Sequence, residues 1–123
     1  MIQIDIPNIH IKPYVRMTQR GKFVSPQAQE YLNNKDTLKT LIRNQVQLQG
    51  AEMYPAGVSL KVIMHVYVHT SQGHRADLDN ILKSVVDSSN EIIFKDDRWI
   101  DEFQVVRHIG MQERLVMVVT EKI

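Results

Sequence analysis

From Gly57 to His69 apolar side chains recur at every second position: Val58, Leu60, Val62, Met64, Val66 and Val68 share one side, and Lys61, His65, Tyr67 and His69 the other. That period belongs to a pleated strand with one face on a core and one toward solvent. Downstream the period changes. Leu78, Ile81, Leu82, Val85 and Val86 repeat at helical spacing through about Asn90, with Asp79, Lys83 and Asp87 four residues apart on the opposite side. Two further strands are predicted near residues 101–109 and 114–120, joined by a turn around Gly110, Met111 and Gln112. A long strand, a helix and two more strands, in that order, restrict the chain to a layered α+β arrangement.

The amino-terminal half fits the same plan. Ile2, Ile4 and Ile6 alternate with Gln3 and Asp5, and Pro7 stops that strand. Residues 8–24, punctuated by Pro13 and Gly21, carry no sustained period and are predicted as a basic loop or irregular hairpin. Ser25 and Pro26 supply an N-cap and a first-turn proline for a helix running to about Gln49, with Gly50 as its stop. Its apolar stripe is narrow: Tyr31, Leu38, Leu41, Ile42 and Val46. The expectation is one small domain over residues 1–123, with two main helices and a mixed or antiparallel sheet.

No apolar run approaches the roughly 20 residues needed to span a bilayer, and no basic segment leading into an apolar stretch marks a secretory leader. The 123 residues include no cysteine, which excludes disulfides and thiolate ligands. A cytoplasmic protein is therefore expected, and any metal must be held by oxygen or imidazole. Charge is distributed unevenly. Residues 1–50 carry seven basic against three acidic side chains, a balance of +4, whereas residues 77–102 carry three against eight, a balance of −5. A basic arm beside an acidic, cation-seeking patch suits a polyanion held by one region and cut by the other.

The acidic patch lies within residues 75–101 and has internal order: Asp77 and Asp79 are separated by one residue at the start of the second helix, Lys83 follows one turn on, and Asp96 and Asp97 follow the helix. If Asp77 and Asp79 enter on extended backbone, both carboxylates point to one side and can share an ion. Were both inside the helix, they would diverge by about 200°. A hard divalent cation needs only two or three carboxylates together with water and phosphate oxygens, so Asp97, or Asp96, can complete the set. A calcium loop counted from Asp77 fails, because Leu82 and Ser88 stand where glycine and glutamate are required. The plain alternatives are helix capping for Asp77 and Asp79, an ion pair with Asp79 for Lys83, and a solvated turn for Asp96 and Asp97. Trp99 and Phe103 read as packing residues, and the histidines show no zinc spacing.

With these residues in place, the sequence resembles the RusA-type Holliday-junction resolvases, a family of crossover junction endodeoxyribonucleases. The likeness rests on Asp77-Leu78-Asp79-Asn80, Lys83 and Asp87, then Asp96-Asp97 and the strand that begins at Asp101, and on the basic run from Lys12 through Pro26. It implies metal-binding carboxylates at Asp77, Asp79 and Asp97, with Asp96 the neighbouring candidate, and an essential lysine at Lys83. It also implies Mg2+ as cofactor, with Mn2+ as a substitute, and a homodimer that cuts two strands of a four-way DNA junction by paired symmetric nicks. Lys12, Arg16, Arg20, Lys22 and Arg75 are the expected DNA contacts. In this chain the basic run ahead of the first aspartate is reduced to His74 and Arg75, and the amino-terminal loop lacks the Pro-x-Ser-x-Asn pattern of some members. A non-catalytic junction-binding protein and a metal-dependent nuclease of other branched DNA are the competing readings.

Overall fold

The computed structural model describes residues 1–14, 26–71 and 76–123. In chain order these form β1 (Ile2–Pro7), α1 (Pro26–Leu48), β2 (Leu60–His69), α2 (Leu78–Ser89), a 3-10 turn (Asp97–Trp99), β3 (Ile100–Gly110) and β4 (Arg114–Glu121). The strands make one mixed sheet in the order β1-β4-β2-β3. β4 runs antiparallel to both β1 and β2, while β2 and β3 are parallel. Parallel neighbours need a crossover, and α2 supplies it.

Both helices contribute to one core with the inward side chains of the sheet. Ile2, Ile4 and Ile6 of β1, Leu60 to Val66 at alternate positions of β2, and Leu115, Met117 and Val119 of β4 pack with Leu38 and Ile42 of α1 and Ile81 and Val85 of α2. The period-two pattern in β2 is thus expressed as predicted, but the strand begins at Leu60 and leaves Val58 outside it. Trp99 is half-buried, whereas Phe103 is 40% exposed, because it lies on β3 at the outer edge of the sheet.

The two sheet edges differ. On β1, Gln49 accepts from the Gln3 amide at 3.1 Å and donates to the Gln3 carbonyl at 2.8 Å. Gln45 does the same for Asp5, at 2.7 and 2.5 Å. Gln45 of α1 and Gln49 in the turn just past its end therefore satisfy β1 as another strand would, closing that edge to further pairing. β3 forms the other edge and exposes Val106 and Ile109 as well as Phe103.

Candidate active site

The site is built on the solvent side of α2. The helix starts at Leu78 because the Asp77 carbonyl already accepts from the amides of Asn80 and Ile81, at 3.1 and 3.2 Å. Asp77 stays extended, with φ −61° and ψ 132°, while Asp79 lies in the first helical turn. The helix boundary thus falls between the two acids, so they do not share one extended segment. Asp77 occupies the N-cap position, yet its side chain makes no capping hydrogen bond. Asp79 accepts from the adjacent Asn80 amide, at 3.0 Å. Both carboxylates are exposed, at the helix end whose dipole favours negative charge.

One turn along, Lys83 does not pair with Asp79. Its ammonium sits over the Tyr14 ring, 4.2 Å from the centroid. Tyr14 is held there by its amide, which donates to the Asn80 carbonyl at 3.0 Å, and by an edge-on contact with Tyr31 at 5.8 Å between centroids. The last described residues of the basic arm are therefore docked on α2 beside the lysine. Asn34 of α1 pins the preceding stretch, accepting from the Lys12 amide at 2.9 Å and donating to the His10 carbonyl at 2.7 Å. The Lys12 ammonium is ion-paired with Glu30 at 3.5 Å.

A second acidic group forms near the carboxyl end of α2. Burial pushes the Asp97 carboxyl above the ordinary range, reinforced by Asp96 and by the charge of Asp87 and partly offset by Asn90. The neighbouring Asp96 goes the other way, held low chiefly by the Arg98 amide, which it caps at 2.9 Å. Asp96 is thus engaged in starting the 3-10 turn and also lies 3.6 Å from the Arg98 guanidinium. Asp87 accepts from the Tyr31 hydroxyl at 3.4 Å; burial and the Asp87 charge push Tyr31 up to about 12. Asp101 stands apart, accepting from the Ser59 hydroxyl.

Asp79, Lys83 and Asp87 succeed one another along α2, so the two acidic groups bracket the lysine, with Asp79 and Asp87 about 12 Å apart along the axis at ~1.5 Å per residue. Among the described residues no three carboxylate, histidine or cysteine side chains converge into a ready metal cage. Arg16, Arg20, Lys22 and Arg75 lie outside the described residues. Tyr14, Tyr31 and Asn90 had no assigned role at the site: Tyr14 falls within the basic run, Tyr31 in the apolar stripe of α1 and Asn90 at the end of the second helix. Asp87 had a signal, its place four residues after Lys83, but not an assigned role.

No helix among the described residues is long and apolar enough to cross a membrane. No curated protein matches the sequence. A family model described as endodeoxyribonuclease RusA matches residues 7–120, which takes in both acidic groups, Lys83 and the docked end of the basic arm. The chain belongs to the RusA endodeoxyribonuclease family.

Proposed function

We propose that this enzyme is a metal-dependent, structure-selective endonuclease that resolves four-way DNA junctions by paired symmetric nicks. The observation that carries the reading is the N-cap of α2: two acids stand where capping would explain them, and the Asp77 side chain does not cap. Oxygen donors without cysteine suit a hard cation, Mg2+ with Mn2+ as substitute. Asp77 and Asp79 at one end of α2 and Asp97 near the other would be the ligands of such ions. Asp97, raised by burial and by two neighbouring acids, is the group whose repulsion a cation relieves. Asp96 is already engaged with the Arg98 amide, which favours Asp97 over it as the ligand. Such an ion supplies charge neutralisation at the phosphate and an acidified water.

The chain's own residues do the remaining work. Lys83, held over Tyr14, directs positive charge toward the scissile phosphate. Tyr14 anchors the start of the arm, and Lys12, Arg16, Arg20, Lys22 and Arg75 would hold backbone phosphates. A homodimer presents two such sites to two symmetric strands. In the cell the enzyme would act on branched DNA in the cytoplasm.

The test is cleavage of a labelled four-way junction, a flap, a fork and a linear duplex in Mg2+, Mn2+ or chelator, with the nicks mapped on each strand. Paired nicks confined to the junction and dependent on metal are expected. Equal cutting of duplex would reject junction selectivity. Tight junction binding without cutting in either metal would make this a binding protein.

A further inference from the structure

A cavity of about 590 Å³ opens beside the acidic site, at the carboxyl ends of β2 and β3. Its walls are chiefly apolar, from Ile11, Pro13, Val68, Ala76, Ile81 and Ile109. The polar groups among its described lining are His10, Lys12, His69, Thr70 and Arg107, and no carboxylate faces it from those residues. Arg107 secures the wall nearest the acids: its Nη1 donates to the Ala76 carbonyl at 2.6 Å, one residue before Asp77. Its Nε is buried and has no acceptor among the described residues.

From this arrangement we infer that the cavity receives an unstacked nucleobase from the nucleotide next to the scissile phosphate, an inference that rests on the nuclease reading above. Position argues for it, because Ala76 belongs to the cavity wall and Asp77 to the acidic site, so a phosphate at the acids brings its neighbouring nucleotide to the cavity mouth. Size argues for it as well, since sites for small organic ligands span roughly 300–1,000 Å³, far more than a phosphate group alone needs. The lining matches a base in kind. Flat aliphatic walls accept its faces, and the cationic and imidazole nitrogens offer donors to its carbonyl and ring-nitrogen edge. Unstacking is least costly where pairing is already interrupted, as at a branch point. The cavity thus makes branch recognition and cutting neighbouring events on one strand.

The experiment places 2-aminopurine, which brightens when unstacked, at each position flanking the crossover of a four-way junction. The intact protein is added in chelator, so that neither metal nor cleavage contributes. A several-fold rise confined to one position is expected, absent from linear duplex. Thr70→Trp and Ile109→Trp, both exposed positions on the cavity lining, should abolish that rise while a retarded protein–junction complex persists and the thermal melt is unchanged. If one variant unfolds, the other carries the test. Junction binding and metal-dependent cutting with no brightening at any position would overturn the base pocket and leave the nuclease intact. A rise that survives both tryptophans would overturn it too. Absence of junction binding at low salt would overturn both readings.

Discussion

The two acidic groups on α2 contain similar residues in opposite circumstances. At the amino end, Asp77 and Asp79 are exposed and favoured by the helix dipole, and among the described residues Asp77 makes no capping hydrogen bond. Near the carboxyl end, Asp97 is partly buried against Asp96 and Asp87, and its ionised form is disfavoured for that reason. On the function proposed above, the first group would receive a cation and phosphate at an exposed helix end. The second holds repulsion that a cation would release. Lys83 between them has its ammonium over the Tyr14 ring rather than paired with Asp79.

The sharpest way to break the comparison is to neutralise one acid from each group. Asp79→Asn and Asp97→Asn should each lower single-turnover junction cleavage by about 10³-fold or more, as expected when several kcal/mol of charge stabilisation is lost. Retained activity in either would remove that group from catalysis. Lys83→Ala should cost about 10²–10³-fold with junction affinity nearly unchanged, the pattern of a group acting on developing charge. Asp87→Asn, which removes a neighbour of Asp97 and an acceptor for Tyr31, should cost roughly 10–100-fold. Tyr14→Ala should reduce cleavage about tenfold by releasing Lys83, whereas Tyr14→Phe, which keeps the ring, should stay near wild type.

Stability gives the smallest effect and an independent sign. An acid whose folded pKa is raised contributes stability that is present below the ordinary carboxylate range and lost as pH rises through its folded value. Asp97 is such an acid. In chelator at pH 7, Asp97→Asn should therefore melt about 2 °C higher than wild type, a small figure because the group is largely solvent-screened. The gain should vanish near pH 3. Mg2+ should raise the wild-type melting temperature by more than that of Asp97→Asn.

Much of this was readable along the chain where one local pattern decides the outcome. The alternation in β2 and the helical spacing from Leu78 fixed the strand and helix because each buries one face. The spacing of Asp77, Asp79, Lys83 and Asp97 pointed to the candidate site. What the sequence hid depends on distant partners. Tyr14 reaches Asn80 and Lys83, Tyr31 reaches Asp87, and Gln45 and Gln49 close the edge of β1. No periodicity encodes such pairs. Whether the sheet was mixed or antiparallel was also open, since side-chain alternation is the same for either strand direction. The plain alternative for Lys83, an ion pair with Asp79, is not formed; its partner is a tyrosine nearly seventy residues upstream.

The most direct test of the central claim, that both acidic groups are needed for metal-dependent cutting, is single-turnover cleavage of one labelled four-way junction in Mg2+. Wild type, Asp79→Asn and Asp97→Asn would be compared after their junction affinities are matched in chelator. The account predicts paired nicks from the wild type and none above background from either variant, with binding retained in all three. Cleavage by Asp97→Asn at the wild-type rate would contradict it and leave Asp77 and Asp79 to act without the second group.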